Sequence, residues 1–99
     1  MLNTVDTFIK LLDASTTALQ ESAVLDNSTF SHTAIQVLGA VAVELYVSND
    51  GTTFVKYGND LAGNSWTRLD GFFPYLKVKR ANSATEVTVT INRTKLRTF

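Results

Sequence analysis

The chain has 99 residues, of which 44% are hydrophobic and 18% are charged, and nine basic residues balance nine acidic ones. This length and composition predict a single globular domain over residues 1–99 that buries its own core. The absence of cysteine excludes disulfides, thiol nucleophiles and thiolate metal sites; the neutral balance argues against nucleic acid as a partner, and no apolar run approaches the ~20 residues of a membrane helix.

The N-terminal segment, residues 4–13, fits two structures. Its apolar residues follow the helical period, yet the same segment can form a strand that ends at residues 13–15. We favour the strand, because a lone helix beside a small sandwich is the less economical layout. The apolar residues concerned are Val5, Phe8, Ile9 and Leu12.

Four further strands are predicted in the first half of the chain. Fourteen threonines favour strands throughout, because β-branched side chains are stiff and suit a pleated surface. Asp50-Gly51 marks a hairpin tip, since Gly accepts positive φ without a steric penalty. The predicted strands cover residues 18–25, 32–38, 41–47 and 54–57.

The second half of the chain predicts three more strands and a tail. The strands cover residues 66–70, 75–80 and 86–92, and in the first of them Trp66 and Leu69 are expected to be apolar anchors. Residues 93–99 carry three positive charges and are expected to be a disordered end or an arm laid on a neighbouring subunit. Seven or eight short strands with frequent turns predict an all-β, antiparallel β-sandwich of the jelly-roll or immunoglobulin-like kind.

No group of residues points to catalysis, a metal or a cofactor. His32 is the single histidine, is expected on an outward strand face, and cannot form a histidine metal site by itself. The tip at Asn49 and Asp50 faintly resembles a calcium loop but has one carboxylate and no closing Glu, so turn chemistry explains it. Asp60 and Asp70 lie in or beside other loops, and the sequence does not exclude a weakly bound ion shared between them.

Three groups of residues are candidate protein contacts. The aromatic group either forms a platform for a sugar or protein, or closes the end of the sandwich. The loop tip is free to touch a partner, and the basic end of the chain could reach a neighbouring subunit. The candidates are Asn49, Asp50, Trp66, Phe72, Phe73, Tyr75, Arg93, Lys95, Arg97 and Phe99.

A further group is basic. Lys77, Lys79 and Arg80 are expected on one wet strand face, close to Arg68 if the two strands are neighbours. Such a stripe with adjacent aromatic residues can bind nucleic acid. The neutral net charge favours a solvated face instead.

Three segments resemble small β-sandwich virion proteins of tailed bacteriophages. They read SNDGTTF at residues 48–54, FPYLKVK at residues 73–79 and EVTVTI at residues 86–91. The likeness covers roughly residues 32–92 and departs at Phe54, where Trp is usual. Carbohydrate-binding modules of jelly-roll type share part of the pattern.

The resemblance implies a non-enzymatic virion structural protein without a cofactor. Within that class, a capsid cement or decoration protein on the capsid surface is expected, with the major capsid protein and copies of itself as partners and a trimer favoured. Neither a membrane nor nucleic acid is an expected partner. The alternative is a carbohydrate- or receptor-binding module of a phage tail or fibre, which predicts an exposed flat patch lined by the aromatic residues.

Overall fold

The described fold is built from strands. A computed structural model of the protein describes residues 2–30, 32–69 and 73–98, with side chains between residues 7 and 94 of those ranges. The strands are β1 (Leu2–Ser15), β2 (Leu25–Asp26), β3 (His32–Leu38), β4 (Val43–Ser48), β5 (Val55–Lys56), β6 (Ser65–Leu69), β7 (Tyr75–Arg80) and β8 (Val87–Thr98). Among these residues, no helix has the length and apolar character needed to cross a membrane.

The strands form two four-stranded sheets. The strand order is β1-β8-β3-β6 in the first sheet and β2-β7-β4-β5 in the second. Every pairing among these strands is antiparallel. The prediction of an all-β, antiparallel sandwich is therefore confirmed.

The core lies between the two sheets and comes from alternate residues of the central strands. In β8, Val87, Val89 and Ile91 are fully buried, as the period of two predicts. Fully burying a side chain of this size contributes about 1.5–3 kcal/mol. The other core residues are Leu12, Ile35, Val37, Val41, Val43, Leu45, Leu69, Phe73, Leu76 and Val78.

Strand β1 confirms the strand predicted over residues 4–13 and extends it at both ends. The pattern also fitted a helix because the strand is bulged. Its register with β8 shifts between Lys10 and Leu12 and again between Leu12 and Ser15. Because a bulge inserts an extra residue, Phe8 is 70% exposed whereas Leu12 is 3% exposed.

The strand predicted over residues 18–25 is wrong for most of its length. Leu19 adopts a left-handed conformation, with φ at 59°, and regular strand structure is confined to Leu25–Asp26. The segment instead runs beside β7 through separate hydrogen bonds. In one of them the Ser22 N–H donates to the Val78 carbonyl at 2.8 Å.

Residues 93–98, expected to be a tail, instead continue β8. They pair with residues 2–7 of β1 in an unbroken register that runs from Arg93 opposite Thr7 to Thr98 opposite Leu2. Local composition gives no sign of this pairing, because the partner strand lies at the other end of the sequence. The two paired segments extend past β3, whose pairing with β8 stops at Thr94.

Candidate contact surface

The outer face of the second sheet carries charges that are paired with one another. Lys56 Nζ lies 2.6 Å from Asp60 Oδ1, and Lys77 Nζ lies 3.1 Å from Glu21 Oε1. The hydrogen bond to Asp60 raises the pKa of Lys56 above its usual value. Exposed pairs of this kind add little stability, but they compensate charges that a partner would otherwise meet.

Two aromatic residues of this face are engaged in the same network. The Tyr46 hydroxyl donates to Glu44 Oε2 at 2.6 Å, and this bond raises the pKa of the Tyr46 phenol. Lys77 Nζ lies 4.7 Å from the centre of the Phe54 ring, within the range of a cation–π contact. Lys56, Lys77, Tyr46 and Phe54 of this face therefore have partners within the protein, whereas Lys79 takes part in none of these contacts.

The expected basic stripe is confirmed only for Lys77 and Lys79, which share the outward face of β7; it is wrong for its other members. Arg80 points into the sandwich and is 1% exposed, since it shares the inward parity of Leu76 and Val78 on β7. Lys77 remains outside but is already ion-paired. Arg68 lies on β6, in the other sheet.

The outer face of the first sheet has a different character. Phe8, Leu38 and Trp66 are 70%, 59% and 61% exposed on it. Large exposed apolar side chains among neutral polar ones are typical of contact surfaces. Across β1, β8, β3 and β6, one row of outward residues is Lys10, Thr90, Gln36 and Trp66, and the next is Phe8, Asn92, Ala34 and Arg68.

A shallow cleft of about 240 Å³ opens on this face beside Trp66. Ala34 forms part of its floor, because a small side chain at that point of the row leaves space between Asn92 and Arg68. His32 also lines the cleft. The lining combines an indole ring with hydrogen-bonding groups, a combination suited to a sugar ring or a protein side chain.

The hairpin tip owes its shape to turn chemistry. Asp50 Oδ1 accepts hydrogen bonds from the Thr53 and Thr52 N–H groups, both at 2.9 Å, and from the Ser48 hydroxyl at 2.8 Å. These bonds, that of Thr53 first, lower the pKa of Asp50 to about 2. No group of three metal-binding side chains occurs within residues 2–30, 32–69 and 73–98. Asn49 and Asp50 are exposed and so remain open to a partner.

The aromatic candidates do not form one platform. Trp66 lies outward on β6 instead of anchoring the core, so that expectation is wrong. Phe73 is buried and packs edge-to-face on Tyr57, with ring centres 4.9 Å apart. Tyr75 is half-buried at the start of β7, in the second sheet. Phe72 lies outside the described residues.

Arg93 is a buried residue of β8 and does not belong to an exposed arm. Its Nε–H donates to Thr7 Oγ1 at 3.0 Å, and Nη1 donates to the Asp26 carbonyl at 2.8 Å. Removal from solvent lowers the pKa of this guanidinium. The side chains of Lys95 and Arg97, and all of Phe99, lie outside the described part of the chain.

Phe8, Gln36 and Leu38 belong to this surface but were not candidate contacts from the sequence. The alternation of β3 already placed Gln36 and Leu38 on its wet face. The missing information was strand order. Phe8 and Trp66 share one surface because β1, β8, β3 and β6 are neighbours in that order.

Comparisons with known proteins support the fold. No protein-family model matches the chain, and no curated protein matches it. The crystal structure of the SPBc2 prophage-derived protein YomS is similar, with a TM-score of 0.76 and 14% identity over 94% of this chain and 96% of that one. A chain of the Bacillus endospore appendages, described as a novel family of disulfide-linked pili, has a TM-score of 0.55 and 14% identity over 95% of this chain and 87% of that one. At such identity the likeness shows a shared fold.

Proposed function

We propose that this protein is a non-enzymatic structural component of a phage particle, and within that class a capsid decoration protein that bridges major capsid proteins. Two solved structures of similar fold support the broad class, one prophage-derived and one from a pilus. The phage-like segments at residues 48–54, 73–79 and 86–91 support the narrower assignment.

The contrast between the two outer faces carries the proposal. The second sheet pairs Lys56 and Lys77 with carboxylates. The first exposes Phe8, Leu38 and Trp66 among mostly uncharged polar side chains. A sheet face that exposes large apolar side chains and carries few charges, here Lys10 and Arg68 in its two outward rows, suits attachment to another protein. A catalytic role would instead need converging reactive groups.

The mechanism would be adhesion. The outer face of the first sheet would lie against the shell and bury its exposed apolar side chains, which is worth about 25 cal/mol per Å² of apolar surface removed from water. Several weak contacts made by one oligomer would add through effective concentration. Since the chain has no cysteine, the disulfide linkage named for the pili has no counterpart here.

Binding to phage heads assembled without this protein tests the proposal. We expect Phe8→Lys and Leu38→Lys each to weaken binding about tenfold or more, because each places a charge in a buried apolar contact. Val24→Lys is the matched control, since Val24 is 47% exposed and lies just before β2 of the second sheet. Occupancy is measured by co-sedimentation and by electron microscopy of the particles. Unchanged binding of all three variants, or an equal loss in the control, contradicts the proposal.

The cleft beside Trp66 favours a second candidate, a sugar-binding module. Trp66 is the single tryptophan of the chain, so its fluorescence reports on this cleft alone. A saturable change of emission on titration with the glycans of the host surface, abolished by Asn92→Ala, would favour sugar binding. Flat titrations together with head binding would favour the decoration protein.

A further inference from the structure

The four edges of the two sheets are not equally protected. Strands β2 and β5 have two residues each, and very short edge strands offer little backbone for pairing. Strand β1 is regular from Leu2 to Lys10, and register shifts interrupt it only after that point, so bulges protect only its last part. Strand β6 has five residues in regular register with β3 and no second neighbour among the described strands.

An open groove of about 210 Å³ lies between the two sheets next to β6. It is lined by Thr67 and Leu69 of β6, by Leu45 of the second sheet, and by Tyr57 and Leu61, which follow β5. An edge that is regular and open presents unpaired backbone groups to any strand that approaches it. The side chains of β6 then decide which strand fits.

The sequence of β6 is complementary to itself in one antiparallel register. If two copies meet about a twofold axis at Thr67, Trp66 of each copy lies directly opposite Arg68 of the other. Both side chains are exposed and point to the same face of the sheet. Arg68 has no ion pair within the described residues, and an arginine against an indole ring is a favourable cation–π pair.

At the centre of this pairing, the same residue of the two copies is paired. Thr67 would lie opposite Thr67 of the second copy, a favourable cross-strand pair. Strand β1 is also an edge strand, with a regular register from Leu2 to Lys10. We favour β6 because pairing with itself places Trp66 against Arg68 and Thr67 against Thr67.

We infer that the free edge of β6 binds β6 of a second copy of this chain, antiparallel and centred on Thr67. The two first sheets become one continuous sheet of eight strands, and their outer faces become one surface. This inference is independent of the proposed function, because its tests use the purified protein alone. A twofold contact of this kind yields a dimer and differs from the trimer that the phage resemblance implies.

Single cysteines test the register directly, because the natural chain has none. Opposed residues of an antiparallel pair have Cα atoms about 4.5–5.5 Å apart, within the range of a disulfide. Thr67→Cys is therefore expected to form a disulfide-linked dimer under mild oxidation. Ser65→Cys is the matched control, since two such residues would lie about 14 Å apart in this register. Equal cross-linking of the two variants, or none in Thr67→Cys, overturns the inference.

Charge substitutions test the pairing of Trp66 with Arg68. Trp66→Lys places a like charge opposite Arg68 and is expected to weaken dimerisation about tenfold or more. Trp66→Glu removes the same ring but places an opposite charge there, so dimerisation stays within about threefold of the natural chain. Arg68→Glu added to Trp66→Lys restores the pair and the dimer.

Sedimentation equilibrium over a range of concentrations measures these effects. Phe8→Lys, at the opposite edge of the same sheet, is expected to leave dimerisation unchanged, and thermal unfolding verifies that each variant is folded. An equal loss in Trp66→Lys and Trp66→Glu would overturn the inference, because exposed apolar area and not register would then drive association. So would a protein that stays monomeric at all concentrations, or a trimer that ignores these substitutions.

Discussion

The guanidinium carbon of Arg93 lies 3.9 Å from the centre of the Phe30 ring, so a strand of the first sheet is stacked on the loop that follows β2. The same guanidinium donates to the hydroxyl of Thr7 and to the carbonyl of Asp26. One buried side chain thus joins β1, β2 and β8, which belong to both sheets. The residue contributes to stability and is withdrawn from any external partner.

Arg93→Lys is expected to destabilise the protein by about 2–4 kcal/mol. Lysine keeps the charge but cannot donate to two partners in the same fork, and the Asp26 carbonyl loses its charged donor. Arg68→Lys is the control, because Arg68 is exposed on β6 and its substitution should change the free energy of unfolding by no more than about 0.5 kcal/mol. Urea unfolding measures both, and similar midpoints for the two variants would contradict a structural role for Arg93.

Arg80→Met is expected to cost about 3 kcal/mol or more, although methionine fills much of the same volume. Arg80 is 1% exposed; its Nη1 donates to the Ser15 carbonyl, and its Nη2 donates to the Thr85 carbonyl at 2.7 Å. The Ser15 bond is buried and the Thr85 bond is partly buried. A buried carbonyl left without a donor costs about 1–3 kcal/mol, and the loss of the second bond adds to it. Lys79→Met, one residue away on the outward face of β7, is the control for thermal or urea unfolding. A stable Arg80→Met protein would show that these bonds are dispensable.

Stability is expected to fall as pH drops from about 4 to about 2, partly through Asp50. The hydrogen bonds from Thr53, Thr52 and Ser48 hold the folded pKa of Asp50 at about 2, whereas an unfolded Asp titrates near 3.9. Between these two pKa values the unfolded chain binds more protons than the folded one. The stability that Asp50 contributes is therefore fully present above about pH 4 and is lost as pH falls through the folded pKa. Midpoints of urea unfolding measured between pH 4 and pH 2 would show this loss of stability.

Asp50→Asn is the control for this pH dependence. The variant should show a smaller slope between pH 4 and pH 2, though not a flat one. Asp26, whose pKa is lowered chiefly by the side-chain hydrogen bond with Ser28, titrates in the same direction. An unchanged slope in Asp50→Asn would show that the tip is not held in this way in solution.

Gly63→Ala is expected to cost about 2 kcal/mol or more. A Cβ at Gly63 would lie 2.6 Å from both the Gly39 carbonyl oxygen and the Val41 nitrogen. Backbone atoms cannot turn aside as a flexible side chain can, and overpacking has a cost of this size. The loops also meet through the Asn64 N–H, which donates to the Gly39 carbonyl at 3.0 Å.

Gly58→Ala separates crowding from backbone strain. Gly58 has φ at 67°, and nothing lies within 4 Å of an added Cβ. Only the left-handed conformation is penalised there, by about 1–2 kcal/mol. If Gly63→Ala proved the milder of the two changes in thermal unfolding, the close approach of the two loops would be refuted.

The sequence by itself determined the class of fold and much of the core. The alternation in residues 32–38, 75–80 and 86–92 put Ile35, Val78 and Ile91 inward, and all three are fully buried. The hairpin tip at Asp50-Gly51 could likewise be predicted from the sequence, because a turn depends on residues that are adjacent in the chain. These features are local, so a short stretch of sequence is sufficient to specify them.

The tertiary structure alone decided which strands are neighbours, and therefore which outward residues share a surface. Composition marked residues 93–98 as a tail, yet residues 2–7 pair with them from the other end of the sequence. Trp66 looked like an anchor, but the register of β6 with β3 turns it outward. Pairing between distant strands depends on the summed fit of whole sheets, and no local pattern carries that information.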